Sequence, residues 1–397
     1  MSVANKWETR PLGKFVEFRN GVNYNKNSFG EGMKVVGVKD FQDYIKPKYS
    51  ELSQINPDGI VTEKNILHHG DIVFVRSNGN RDLIGRSLFI DNPTEPITHS
   101  AFTIRLRFTA NDIDPRFYAY FLRSPLIRKS MTAFGGGTNI SNLNQDILSQ
   151  LEVPFPPQHV QKRIAEILSA YDNLIENNQR RIDILEEIIR LLYREWFVYF
   201  RYPGHKSVPL VDSPLGSIPK GWEVKSVGEL LQRLPTGNKY TQENTDQEGA
   251  VPVIDQSEKE ILGFHNNEAD HKASMQHPII IFGDHTCKMK IMIKPFSVGP
   301  NTIAFTGVNL PESFLYFLIR SLIQTQEYKR HWNELIGKKV VVSKMELSKK
   351  FSDFVAPLLE QATIFQYQVS NLSKTRDLLL PRLLSGQIPL DKKVPVA

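Results

Sequence analysis

An internal duplication restricts more than any other feature how this chain can fold. Trp7 and Glu8, near the start of the chain, recur as Trp222 and Glu223. A strand-like run at residues 70–75 precedes a polar loop with glycine, and the same pattern returns at 278–282. The apolar, helix-like run at 116–122 returns at 313–318. The offset is about 200 residues, so we expect two similar globular domains.

Each half ends in a long helical pattern with apolar residues three and four positions apart. The first stripe has one irregular step around Asn178, and the second has one charged member, Arg376. Pro357 is expected near a helix start or at a kink, and Pro381 near the helix end. The first stripe is Val160, Ile164, Ile167, Tyr171, Leu174, Ile182, Leu185, Ile189, Leu192 and Trp196. The second is Phe351, Val355, Leu358, Ala362, Phe365, Val369, Leu372, Arg376, Leu379 and Leu383.

Neither apolar stripe can be buried by its own helix, so the simplest arrangement packs the two helices on each other. A duplicated chain then favours pseudo-two-fold symmetry with antiparallel helices. A helix of about 40 residues spans about 60 Å, which is long enough to hold two domains apart. The alternative, in which each helix lies on its own globular domain, stays open.

The sequence thus predicts an α+β fold, with two repeated α/β domains joined by two long helices that form an antiparallel coiled coil. We expect the first globular domain at residues 1–155 and the first helix region at 156–205. The second globular domain is expected at 206–345, and the second helix region at 346–397.

Composition excludes several classes of protein. A single cysteine, Cys287, rules out an internal disulfide framework and a multi-thiolate zinc site. No signal peptide or membrane-length apolar stretch is visible, so we expect a cytoplasmic protein without a membrane partner. The net charge of +6 and the pI of about 9.1 permit DNA binding without proving it.

Three segments carry a resemblance to a known family. The C-terminal Leu-Leu-Leu-Pro-Arg-Leu-Leu-Ser-Gly-Gln-Ile at 378–388 resembles the distal conserved region of type I restriction-modification specificity subunits. The passage from 136–144 through 151–157 to 161–168 is similar to the entry into that family's central conserved helix. The loops at 74–79 and 282–286 resemble a recurrent loop of its recognition domains. In the second half, residues 337–342 form a shorter passage that lacks the Pro-Pro helix entry.

The resemblance implies two target recognition domains, each recognising one half of a split, asymmetric site in double-stranded DNA, with the helices setting the spacer. It also implies two methylation subunits and, in addition, restriction subunits as partners. S-adenosylmethionine, ATP and Mg²⁺ are then expected on those partners, and this chain is expected to need no cofactor. The alternative is a coiled-coil scaffold or adaptor that does not bind a specific DNA sequence.

Recognition of DNA requires donors and acceptors at base edges and cations at phosphates. The polar loops supply both kinds of group. For several of them a structural role is an open alternative, such as a turn in which Asn and Ser bond their own backbone. Ser141, Asn142 and Asn144 are further possibilities, although this connector can equally brace the helix entry. The candidate DNA-binding residues are Arg76, Ser77, Asn78, Asn80, Arg81, Thr138, Asn139, His285, Thr286, Lys288, Lys290, Lys338 and Lys339.

Catalytic chemistry has little support in the sequence. Residues 32–39 place Val where a phosphate-binding loop needs Lys, and Asn92-Pro93-Thr94 is only a turn. His265, His271, His277 and His285 do not have zinc-site spacing around Cys287, so we expect them in a solvated or DNA-facing loop. We therefore expect no catalytic residue and no metal site, and a chain that is not itself an enzyme.

Overall fold

A computed structural model describes residues 7–41, 44–80, 83–124, 127, 131, 142–257, 260–325, 327, 329–388 and 390. The chain divides into two compact units. The first unit contains the described residues up to Asn177 and those from Gln368 onward, and the second is Asn178–Tyr367. Each unit therefore includes part of both long helices, and the predicted boundaries at 155, 205 and 345 stay predictions.

The fold is α+β, as predicted from the sequence. In chain order the described strands are β1 (Thr9–Pro11), β2 (Val16–Asn20), β3 (Phe29–Val36), β4 (Ser53–Ile55), β5 (Ile72–Val75), β6 (Ser87–Phe89), β7 (Ile97–His99), β8 (Thr103–Phe108), β9 (Glu152–Pro154), β10 (Leu210–Val211), β11 (Ile218–Pro219), β12 (Glu223–Ser226), β13 (Leu231–Arg233), β14 (Val251–Ile254), β15 (Ile261–His265), β16 (Ile279–Gly283), β17 (Met289–Met292), β18 (Ser297–Val298), β19 (Thr302–Gly307) and β20 (Lys339–Val342). The described α-helices are α1 (Pro115–Arg123), α2 (Gln145–Ser149), α3 (Gln158–Tyr193), α4 (Val227–Leu230), α5 (Glu312–Ile319), α6 (Trp332–Gly337) and α7 (Met345–Leu384).

The first unit is built on two sheets and a strand pair. The larger sheet has the order β2-β8-β5-β6 and is antiparallel. The smaller sheet has the order β4-β3-β7, with β3 and β7 parallel, and β1 pairs with β9. Ile104 and Leu106 of β8 face the main core, where they join Phe117 of α1 and Ile164 of α3. Successive side chains of a strand point to opposite faces of its sheet, so one face of the larger sheet is buried against the helices.

The second unit has the same topology. Its larger sheet has the order β13-β19-β16-β17, and its smaller sheet has the order β15-β14-β18 with β14 and β18 parallel. A strand pair, β12 with β20, takes the place of β1 with β9. The strand-like runs at 70–75 and 278–282 become β5 and β16, each paired with the strand that occupies the second position of its sheet. The duplication predicted from the sequence is therefore present in the fold.

Two glycines of the repeated entry motif have the same packing role. A Cβ atom at Gly13 would lie 2.0 Å from Ser149 Oγ, in α2. A Cβ atom at Gly228 would lie 3.3 Å from the carbonyl oxygen of Ile336, in α6. In both units the glycine allows a short helix to approach the chain closely.

The predicted stripe of α7 is confirmed, because each of its members is buried or half-buried. Pro357 does not lie near a helix start, because α7 continues through it, twelve residues beyond its first residue, Met345. The alternative, a kink at Pro357, stays a prediction. Pro357 and Asp353 are both exposed, so the carbonyl of Asp353, which loses its helical donor, can be solvated. Pro381 lies near the helix end, as predicted.

The predicted stripe of α3 is wrong in its middle. Leu174 is 52% exposed, whereas Leu168 and Ile175 are buried, and so are the polar residues Asp172 and Asn178. The buried face of α3 therefore includes two polar residues, Asp172 and Asn178, which a search for apolar residues does not detect. Asn178 does lie at the predicted irregular step.

Replacing Leu168 by Ala should destabilise the protein strongly. Its side chain is fully buried in the main core of the first unit, and a Leu→Ala change at such a site costs about 2–5 kcal/mol. Leu174→Ala is the matched control, because a half-exposed side chain should change stability by only about 0.5 kcal/mol. Urea unfolding of both variants measures the difference. Equal losses of stability in the two variants would show that the buried face of α3 does not include Leu168.

A polar layer lies on the other face of β8. Arg105 is almost fully buried and donates to Lys64 O at 3.1 Å and to Glu17 Oε1 at 3.1 Å. Arg107 forms a bidentate pair with the buried Asp71, with both N···O distances 2.7 Å. His99 Nδ1 lies 3.0 Å from Thr103 Oγ1. Burial, together with the nearby arginines, lowers the pKa of His99 to about 3, so the ring is neutral when the protein is folded.

His99 should make stability depend on pH. Its pKa is about 3 in the folded protein and 6.5 in the unfolded chain, so unfolding takes up a proton between these values. The contribution is fully present above pH 6.5 and is lost as the pH falls toward 3. His99→Gln should therefore lose less stability than the natural chain between about pH 7 and about pH 5. The urea midpoints of both proteins at the two pH values measure this loss. An equal fall in midpoint for the natural chain and for the variant would contradict the prediction.

Candidate nucleic-acid interface

In the first unit, the predicted polar loop lies at one end of the larger sheet. Val75, the last residue of β5, pairs with Thr103, the first residue of β8. The backbone N–H of Arg76 donates to the carbonyl of Phe102 at 2.8 Å, and the carbonyl of Arg76 accepts from the N–H of Leu143 at 2.8 Å. These bonds bring the loop after β5, the turn before β8 and the entry to α2 together.

The same sheet end contains residues that the sequence analysis missed. Asn20 ends β2, and Gln145 of α2 donates its Nε2 to Asn20 Oδ1 at 3.2 Å. Phe102 is 61% exposed beside the backbone of Arg76. The polar loop gives no sequence signal for these neighbours, because strand pairing and the contacts of α2 bring them to it. We call Asn20, residues 76–80, Phe102 and residues 142–145 the first sheet-end surface.

The predicted residues of this surface have different roles in the structure. The side chain of Arg76 makes no hydrogen bond or ion pair within the described part of the chain and remains available to a ligand. Asn78 Oδ1 accepts from the backbone N–H of Asn80 at 2.7 Å, which is the turn anticipated as the alternative. Asn144 caps α2 by accepting from the N–H of Ile147 at 2.8 Å. Arg81, Thr138, Asn139 and Ser141 lie outside the described residues.

The second unit repeats this backbone arrangement. Gly283, the last residue of β16, pairs with Thr302, the first residue of β19. The N–H of Asp284 donates to the carbonyl of Asn301 at 2.8 Å, and the carbonyl of Asp284 accepts from the N–H of His331 at 2.8 Å. Asp284 therefore occupies the position that Arg76 has in the first unit.

The side chain of Asp284 also supports α6. Its Oδ1 accepts from the backbone N–H groups of His331 at 3.0 Å and Trp332 at 2.8 Å. The buried carboxylate thus satisfies donors at the start of the helix, as a cap does. We call residues 284–290, Asn301 and residues 329–331 the second sheet-end surface.

The structure brings the predicted residues of the 284–290 loop together. The N–H of His285 donates to Gln256 Oε1 at 2.8 Å, and its ring Nδ1 lies 3.0 Å from Lys329 O. Thr286 Oγ1 accepts from the N–H of Lys288 at 3.4 Å. Much of the loop's polar capacity is therefore used to hold the loop itself.

The lysines differ in their partners. Lys288 donates to Ser257 O at 3.2 Å, and Lys290 forms an ion pair with Glu260 at 2.8 Å. Lys338 caps the far, C-terminal end of α6 and pairs with Glu334 at 3.4 Å, while Lys339 is exposed at the start of β20. The structure thus separates Lys338 and Lys339 from the 284–290 loop by the length of α6.

A cavity of about 280 Å³ opens beside the second sheet-end surface. Its wall includes Gln256, Glu260, Lys288, Lys290 and Thr302. The cavity thus combines donors and acceptors with the apolar side chains of Ile254, Ile281 and Met289.

The expectation for the histidines was wrong for His265 and His271, which are buried. His265 Nε2 lies 3.0 Å from Ser297 Oγ, and its ring stacks on Tyr240 with centroids 4.4 Å apart. The ring of His271 stacks on Phe296, and burial lowers the pKa of His271. Within the described residues, no group of three His, Cys, Asp or Glu side chains could hold a metal ion.

Cys287 lacks the surroundings of a reactive thiol. Burial raises the pKa of Cys287, whereas a nucleophilic cysteine needs its pKa lowered.

In the part of the chain that the structure describes, no helix is long and apolar enough to cross a membrane.

Comparison with known proteins agrees with this architecture. Residues 4–187 match the family described as "Type I restriction modification DNA specificity domain". The match contains the first sheet-end surface and the first part of α3. The chain is 27% identical to the type I restriction enzyme MjaIX specificity subunit of Methanocaldococcus jannaschii, over 98% of this chain and 95% of that protein. The chain is therefore similar to type I restriction-modification specificity subunits over nearly its whole length.

Two further relatives are more distant. The EcoKI specificity subunit of Escherichia coli is 25% identical over 46% of this chain and 40% of its own length. The crystal structure of the type I restriction-modification S subunit from M. genitalium has a TM-score of 0.61 to this chain at 19% identity and covers 96% of both chains. At that identity the structural likeness supports the fold.

If the first sheet-end surface contacts DNA, Arg76→Ala should weaken specific binding by roughly tenfold or more, because a bidentate Arg–guanine contact supplies about 1–3 kcal/mol of discrimination. Arg201→Ala is the control, since Arg201 is exposed, lies outside both surfaces and pairs only with Glu195 among the described carboxylates. Fluorescence anisotropy at one fixed salt concentration measures both affinities. Equal affinities would remove Arg76 from the interface.

Proposed function

We propose that this chain is the sequence-specific DNA-binding specificity subunit of a type I restriction-modification complex, and that it recognises a bipartite, asymmetric DNA site. One observation carries the proposal. The same backbone bonds fix a polar loop at the same sheet end in both units, while the side chains on the two loops differ. Two similar supports with different side chains suit the recognition of two different half-sites.

Recognition is proposed to depend on direct contacts from the two sheet-end surfaces. Arg76 would donate to the edge of a guanine, and exposed amides such as Asn80 and Asn142 could pair with adenine. Lys288 and Lys290 of the second surface would contact phosphates, and so would Lys338 and Lys339 at the far end of α6; phosphate contacts fix position without supplying sequence information. For Lys290 this requires exchange of its partner Glu260 for a phosphate.

The two long helices are proposed to form an antiparallel coiled coil that sets the spacer between the half-sites. Contacts within the second unit support the antiparallel direction. The guanidinium of Arg181 lies 5.3 Å from the ring centroid of Phe365, and Tyr193 contacts Phe351 with centroids 6.0 Å apart. The contact nearer the start of α3 is nearer the end of α7, so the two helices run in opposite directions within the second unit.

The chemistry of the complex is assigned to its partners. Methylation subunits would transfer the methyl group from S-adenosylmethionine to adenine, and restriction subunits would use ATP and Mg²⁺. This chain would direct those subunits to their DNA site. A scaffold without DNA recognition would not need two matching polar loops, and specific DNA affinity of the complex separates the two functions.

Replacing residues 206–345 by the corresponding region of another specificity subunit should change one half of the recognised site and leave the other half unchanged. The expectation follows from two units that each have their own core and their own loop. The measurement is genome-wide mapping of methylated adenine in cells that express each version with its methylation partner.

The control is the natural chain expressed with the same partner, which should methylate one bipartite site. Simultaneous change of both half-sites would contradict two independent recognition domains. Absence of any methylated site with the natural chain and an active partner would contradict the proposed function itself.

A further inference from the structure

A buried polar triad joins three helices of the first unit. Asp172 of α3 accepts from the hydroxyl of Tyr120 in α1 at 2.5 Å through Oδ2. Its other oxygen, Oδ1, accepts from Nη1 of Arg376 in α7 at 2.5 Å. Arg376 also donates from Nε and Nη2 to Asp377 Oδ1 at 3.0 and 2.8 Å. One carboxylate thus binds both a long helix and the globular part of the unit to α3.

The charges of the triad depend on these bonds. Asp172 is only 9% exposed, so its carboxylate needs partners that replace water. Burial, reinforced by the charge of Asp172, raises the pKa of Tyr120 well above its usual range and keeps its hydroxyl as a donor. Burial lowers the pKa of Arg376, but the charges of Asp172 and Asp377 and the hydrogen bonds to them together outweigh burial, and the net pKa is raised.

Asp172 and Arg376 each lie between apolar interior positions of their own helix. On α3, Asp172 lies between the buried Leu168 and Ile175. On α7, Arg376 lies between the half-buried Leu372 and Leu379. Apolar neighbours can exchange places along a helix pair at small cost, because dispersion and hydrophobic contacts are not directional. A carboxylate opposite leucine instead of arginine loses its charge partner in a buried site, which is strongly unfavourable.

We propose that the Tyr120–Asp172–Arg376 triad fixes the axial register of α3 against α7 and thereby the spacer length of the DNA site. This inference rests on the proposed function. Sliding one helix by four residues moves it by about 6 Å, close to two base pairs of DNA. Asp172 and Arg376 are therefore positioning residues for specificity, since neither needs to touch DNA. A single buried polar residue has this role in other helix pairs.

The test removes the directional bonds and keeps an apolar interior, in the variant Tyr120→Phe/Asp172→Leu/Arg376→Leu. Such a replacement is often neutral or stabilising. We expect cooperative unfolding at a midpoint near that of the natural chain and the same two half-sites, but with more than one spacer length in the methylation map. Leu168→Ala is the control, because it weakens packing without touching the triad and should keep a single spacer.

A second readout follows the register without activity. Spin labels at Asn177→Cys and Leu378→Cys, in a Cys287→Ser background, report the distance between the helices within the first unit. We expect one narrow distance distribution for the protein that keeps the triad and a broad or double distribution for the triple variant. If the triple variant does not fold, Asp172→Asn replaces it, since the amide keeps the shape and removes the charge, and the distribution should again broaden.

A narrow, unchanged distance distribution in the folded variant would overturn the register role. A broadened distribution with a single spacer would overturn the link to the DNA site. If the natural chain directs no bipartite methylation, the proposed function fails, whereas the spin-label distances still decide whether the triad fixes the register.

Discussion

The pairing of one central strand with its neighbour, repeated in both units, is the interaction on which the candidate interface depends. Val75 pairs with Thr103, and Gly283 pairs with Thr302, so that in each unit one strand ends where the next begins. The residue after the first strand then bonds the turn before the second strand and the entry to a short helix. Backbone bonds therefore position the first residue of each loop, and its side chain differs between the units, Arg76 in one and Asp284 in the other.

The helices show where sequence periodicity succeeds and where it fails. The stripe of α7 follows regular steps of three and four, and its one charged member lies in line with the apolar ones, so the pattern identified the interior face correctly. The stripe of α3 was misplaced around Leu174 because Asp172 and Asn178 hold interior positions. Apolar periodicity treats such residues as surface, whereas Tyr120 and Arg376, which make Asp172 tolerable, are distant in sequence.

The candidate site was predictable only in part for a related reason. The duplicated loops could be found from the sequence because each follows a strand-like run. Asn20, Phe102 and Gln145 could not be found, since tertiary contacts from three different elements place them beside the loop. His265 and His271 show the opposite error. A histidine near polar residues suggests an exposed site, but stacking on Tyr240 and Phe296 accounts for these two in the core.

The two sheet-end surfaces also show how one backbone plan supports different chemistry. Arg76 and Asp284 occupy equivalent positions and make equivalent backbone bonds, yet their side chains carry opposite charges. In the first unit Asn144 caps the short helix α2, which leaves Arg76 available to a ligand. In the second unit Asp284 itself caps α6, so its carboxylate is used within the protein. Because the stabilising role is taken by different residues in the two units, the exposed side chains of the two surfaces differ while the fold of the two units stays the same.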